Sequence, residues 1–183
     1  MSDSEVILEN IVLIGFMGSG KTTVGRELHQ RLGYPLMDTD RAIEQMAGKK
    51  ITEIFKEDGE SAFRDFETFQ LEELSRETKA RRIVSTGGGV VIRPGNRSLL
   101  RHLGYVVWLH APEDVIVERT SRSPDRPLLN HPDSRDRIKR LMAEREPWYQ
   151  ETAHLKIDTA GLDSKEIATG ILESARYYFT HGR

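Results

Sequence analysis

The chain has 183 residues, 31% charged and 37% hydrophobic, with a formal net charge of -2 at pH 7 and no cysteine. That length suits one domain with a buried core. Without cysteine there are no disulfides or thiolate metal sites, and the small net charge leaves no footprint for nucleic acid or an anionic membrane. No apolar run approaches the roughly 20 residues that span a bilayer. Residues Met1 to Asn10 carry acids where a signal peptide would be basic and then apolar, so the expected location is the cytoplasm.

In chain order the first element is a strand. Ile11–Ile14 is a short β-branched run of the kind buried on both faces. Gly15-Phe16-Met17-Gly18-Ser19-Gly20-Lys21-Thr22 follows and matches G-x-x-x-x-G-K-[ST] throughout. Such glycines turn consecutive N–H groups inward around a phosphate, and the next helix presents its positive end to the same anion. Lys21 suits the β- and γ-phosphates, and the Thr22 hydroxyl suits Mg²⁺. Gly18, Ser19, Gly20, Lys21, Thr22 and Thr23 are thus the candidate ATP contacts. Val24, Leu28 and Leu32 then repeat at helical spacing, with Gly33 as the stop.

A weaker strand candidate, Pro35 to Met37, runs into Asp38-Thr39-Asp40. If the strand persists, both carboxylates lie on one side of the pleat; otherwise they straddle its end. One acid suits the hydration shell of magnesium and the other a substrate hydroxyl, or Asp40 simply caps a helix beginning at Arg41. Phe63, Phe66, Gln70, Leu71 and Leu74 line one face of a second helix. Arg64 and Glu67, at i and i+3 on it, make either a surface ion pair or the wall of a pocket. The strand Ile83–Ser85 ends in Thr86-Gly87-Gly88-Gly89, which reads as a turn or as the floor of a ligand crevice at a strand's carboxyl end.

Tyr105 to Leu109 is a further buried strand. Residues 121–134 hold Pro124, Pro127 and Pro132 among charges and read as a mobile loop. Arg119, Arg122 and Arg126 lead into it. An arginine there can swing onto phosphates, or the run is merely solvated. Arg145-Glu146-Pro147-Trp148-Tyr149 closes another helix. Leu155 to Ile157 is a weak strand, and the capping sequence Asp163-Ser164-Lys165-Glu166 opens a last helix carrying Ile167, Ile171 and Leu172. The βαβα alternation predicts a single α/β domain, a parallel sheet with helices on both faces. The base-reading N-K-x-D of a switch GTPase does not occur.

Taken in order, these motifs resemble the shikimate kinase family: Gly15 to Thr22, Asp38-Thr39-Asp40, Phe63-Arg64 with Glu67, Gly87-Gly88-Gly89, Arg126-Pro127-Leu128-Leu129, and Arg145 four before Tyr149. The resemblance implies a P-loop fold similar to that of nucleoside monophosphate kinases. It has a five-stranded parallel sheet, a shikimate-binding region over about 38–80 and a lid over 121–134. It implies that Lys21 contacts phosphate, that Thr22 and Asp38 hold Mg²⁺, Asp38 through water, and that Asp40 binds the shikimate hydroxyls. Arg64, Arg145 and Gly88, within Gly87 to Gly89, then take the carboxylate end, Arg126 the transferring phosphate and Arg119 the adenine. The expected protein is a monomeric cytoplasmic shikimate kinase of aromatic amino acid biosynthesis, with ATP and shikimate as partners and no nucleic acid or membrane. The rivals are a gluconate or nucleoside monophosphate kinase, or a non-catalytic nucleotide-dependent regulator. Two arginines over three glycines favour a small carboxylate over a nucleotide, and a regulator is expected to have lost Asp40 or Arg126. Trp148 stands where the family has leucine.

Overall fold

A computed structural model describes residues 9–77, 81–121 and 134–181. Five strands form one sheet: β1 (Ile11–Ile14), β2 (Leu36–Asp38), β3 (Ile83–Ser85), β4 (Tyr105–His110) and β5 (Leu155–Asp158). Every pairing is parallel and the order is β2-β3-β1-β4-β5. β1 is central and every residue in it is buried, whereas the edge strands β2 and β5 have half-exposed positions. That gradient explains why the three central strands are unbroken apolar runs and the edge strands are faint in the sequence.

Two cores lie on opposite faces. Ile11, Leu13, Tyr105, Val107 and Leu109 pack against α1 (Lys21–Leu32) and α8 (Ser164–His181). Val12, Ile14, Val84, Val106 and Trp108 pack against α4 (Gly59–Arg76), α5 (Pro94–Leu103) and α7 (Ser134–Thr152). A smaller cluster of Ile43, Ile54 and Phe63 ties α2 (Thr39–Ala47) and α3 (Ile51–Glu57) to the start of α4. The remaining helix is α6 (Glu113–Ser121).

Helix termini follow local chemistry. Gly33 ends α1 in a left-handed conformation with its N–H on His29 O. Asp163 accepts from Lys165 N and Glu166 N at 2.8 and 2.9 Å while Glu166 accepts from Asp163 N at 2.8 Å, the reciprocal capping box expected at α8. α7 does not close at Tyr149 but runs through Pro147 to Thr152. Trp148 packs at the margin of the second core, with the Arg97 guanidinium 5.8 Å from its ring centre, so the larger side chain is accommodated by stacking. Below the sheet, the buried Asn10 amide donates to Leu103 O and accepts from Arg82 N, joining the starts of three strands. A polar residue before an apolar run gives no hint of that role.

Candidate active site

The carboxyl ends of β1, β2 and β3 open into a cleft of about 1620 Å³. Gly18, Ser19, Gly20, Lys21, Thr22, Thr23, Asp38, Asp40, Arg64, Gly87, Gly88, Gly89, Arg119 and Arg145 all line it. Every candidate residue is therefore in one place except Arg126, which lies outside the described residues together with 122–125 and 127–133. The volume exceeds the 300–1,000 Å³ of an ordinary single-ligand site. It has room for two substrates end to end.

The phosphate loop joins β1 to α1 at the middle of the sheet. α1 starts from Gly20, has no side-chain cap and carries no acid in its first turn. Its unsatisfied N–H groups and positive dipole end are thus left for an anion. Lys21 Nζ donates to the carbonyls of Gly15 at 2.7 Å and Phe16 at 2.9 Å, which folds the lysine back along the loop. Ser19 Oγ is buried without a hydrogen-bond partner.

The two aspartates straddle the end of β2. Asp38 is the N-cap of α2, accepting from Asp40 N at 3.0 Å and Arg41 N at 3.2 Å. The reading of Asp40 as a cap is corrected by this geometry: an N-cap side chain must reach N–H groups two and three residues on, and Asp38 does so. Asp40 stands inside the first turn of α2 and points into the cleft, with Oδ1 buried and unpartnered. Burial, then the neighbouring Asp38, pushes its carboxyl above the ordinary value of 3.8, opposed by Lys21 and Arg64.

Arg64 and Glu67 are a buried pair, not a surface one. Arg64 Nη1 donates to Glu67 Oε2 at 2.6 Å, and Nη2 donates to Glu60 Oε1 at 2.9 Å. Burial works against the charged guanidinium, but pairing with Glu67 and Glu60 outweighs it and raises its pKa. The glycine floor is what lets this cluster assemble. A Cβ on Gly87 would stand 2.7 Å from Asp40 Oδ1 and 3.0 Å from Glu67 Oε1, and one on Gly89 would enter the Arg64 guanidinium. From α7, Arg145 Nη1 donates to Gly88 O at 3.2 Å, and the Tyr149 hydroxyl donates to the same carbonyl. Burial pushes the Tyr149 phenol up, so it stays a donor.

At the other end of the cleft, Arg119 donates to Gly18 O at 3.3 Å and to Thr159 Oγ1 at 3.1 Å. This fixes its guanidinium between the phosphate loop and the β5–α8 connection. Sequence reasoning missed Glu60, Tyr149 and Thr159 as parts of the site. Tyr149 carried a usable signal, since it lies one helical turn after Arg145 and so shares its face. Thr159 carried none.

A parallel sheet of this order, with a phosphate loop after its central strand and an acid–arginine cluster beside it, defines a P-loop small-molecule kinase. Residues 17–176 match the family model for shikimate kinase. A shikimate kinase of Thermodesulfovibrio yellowstonii is 43% identical over 166 residues, covering 91% of this chain and 94% of that protein. One of Geobacter metallireducens is 45% identical over 169 residues, covering 91% and 93%. The solved shikimate kinase of Acinetobacter baumannii in complex with shikimate superimposes with a TM-score of 0.85 at 39% identity, covering 92% of this chain and 93% of that one. The chain belongs to the shikimate kinase family.

Proposed function

We propose that the chain transfers the γ-phosphoryl group of ATP to the 3-hydroxyl of shikimate, giving ADP and shikimate 3-phosphate. The observation that carries this reading is the meeting, in one cleft, of a phosphate loop with an unpartnered carboxylate and two arginines over a glycine floor. The P–O bond to ADP breaks as the bond to the shikimate oxygen forms, and the hydroxyl proton leaves by way of Asp40 to solvent. Little covalent work falls to the protein, so positioning and charge stabilisation supply most of the acceleration.

In this division of labour the loop amides of Gly18 to Thr23 and Lys21 hold the phosphates, and Arg119 covers the adenine. Asp40 accepts from the shikimate hydroxyls, and Arg64, Arg145 and Gly87 to Gly89 receive the carboxylate end. Arg126, in a lid over 121–134, belongs to the transferring phosphate by resemblance, and 38–80 is the shikimate-binding region. Thr22 and Asp38, a hydroxyl and a carboxylate that both line the cleft, suit Mg²⁺, which keeps several waters and takes its other ligands from phosphate. No group of three or more His, Cys, Asp or Glu able to hold a metal occurs among the described residues. When bound, the ion neutralises phosphate charge. The same reading makes the protein a cytoplasmic monomer on the route to aromatic amino acids, with ATP and shikimate as its partners and neither nucleic acid nor membrane. Among the described residues no helix is long and apolar enough to cross a membrane.

The test is ADP release measured with shikimate, gluconate and AMP offered in turn. Turnover with shikimate at least 100-fold above the other two is expected. A preference for gluconate or AMP overturns the assignment.

A further inference from the structure

The two carboxylates that hold Arg64 are very unequal. Glu67 is a permanent counter-ion: its side chain is 1% exposed and its Oε2 takes Nη1 at 2.6 Å. Glu60 is one turn before Arg64 on α4, its side chain is 62% exposed at the rim of the cleft, and it takes only Nη2. Nε, the donor beside Nη2 on the guanidinium fork, is buried without a partner. The side-on edge of Arg64, which matches a carboxylate with two parallel hydrogen bonds, is therefore half used, and by a group standing mostly in water.

Resting on the proposed function, we infer that Glu60 is a placeholder for the substrate carboxylate. It neutralises Arg64 in the free enzyme and is displaced when shikimate arrives. A partly buried arginine with one counter-ion and one vacant edge costs more than one that is fully paired. An exposed i, i+4 pair is held by only ~0.2–1 kcal/mol, so the incoming carboxylate displaces it at small cost. A ligand without a carboxylate has nothing with which to replace Glu60 and meets its charge and bulk instead. Glu60 thus sharpens selection for a carboxylate by opposing what lacks one, beyond what Arg64 achieves by attraction. The first turn of α4 also favours an acid there through the helix dipole, and a purely structural Glu60 would do no more than that.

The two roles move different quantities. Under the placeholder role, Glu60→Gln lowers the KM for shikimate about 2- to 5-fold, the factor by which an exposed ion pair of this kind holds its partner. The effect on kcat should be smaller. The KM for the carboxamide of shikimate, whose neutral head cannot replace Glu60 and meets its charge and bulk, should fall at least as far, so that the preference for the carboxylate narrows. Glu60→Ala, measured alongside, should lower the KM in the same direction. An unchanged or raised KM for shikimate in both variants, while the wild type turns over normally, makes Glu60 a support for Arg64 and sinks the placeholder alone. If the wild type itself does not phosphorylate shikimate, the proposed function fails and this inference falls with it.

Discussion

Asp40→Asn is expected to lower turnover by about 10²–10⁴, the range of a positioned proton acceptor, while raising the melting temperature by a few degrees. The two effects have one cause. Oδ1 is buried without a partner, beside Asp38 and Glu67, and in the proposed function it is kept for a substrate hydroxyl. Since the folded-state pKa is raised, the fold prefers the protonated acid. Asp40 contributes its full stability below pH 3.8 and loses it as pH rises through the higher folded value. At neutral pH the ionised carboxylate is a cost that asparagine removes, and the α2 cap is untouched because Asp38 provides it. Activity has the opposite pH sense: the accepting form is the carboxylate, so kcat/KM should fall on the acid side at a pH above 3.8. Thermal melts and a pH–rate profile check both halves. A destabilised variant with full activity would make Asp40 structural.

Lys21→Ala is expected to reduce the single-turnover rate by about 10²–10³, as when one donor to developing charge is removed from a preorganised site. The loss of stability should be about 1–3 kcal/mol, since two hydrogen bonds to the Gly15 and Phe16 carbonyls go with the side chain. Rapid quench of a folded, ATP-saturated variant separates chemistry from binding. A near-normal rate under those conditions would remove Lys21 from phosphoryl transfer.

Much of the frame was legible because it rests on local patterns. β1, β3 and β4 are buried on both faces and therefore read as unbroken apolar runs, and the phosphate loop is defined by glycines and a lysine at fixed spacing. α3, α5 and α6 went unassigned, and α2 stood only as the helix that Asp40 would cap, because helices of 7 to 10 residues give too few turns for periodicity to stand out. The Asp38–Asp40 division was open for another reason. Where a strand ends decides which acid caps and which faces substrate, and that end is set by pairing with β3, not by local preference. The Arg64–Glu67 spacing likewise is the same for a surface pair and a buried one. What buries it is the approach of Gly87 and Gly89, about twenty residues later in the chain, and no i, i+3 rule contains that contact.

The most direct measurement is identification of the product after incubating the wild-type chain with ATP, Mg²⁺ and shikimate. ³¹P and ¹H NMR together show both whether a phosphomonoester forms and which hydroxyl carries it. A single new ester on the 3-oxygen, appearing in step with ADP, is predicted. Phosphate on another hydroxyl would contradict the placement of Asp40, and ADP formed with no phosphorylated shikimate would contradict the transfer itself.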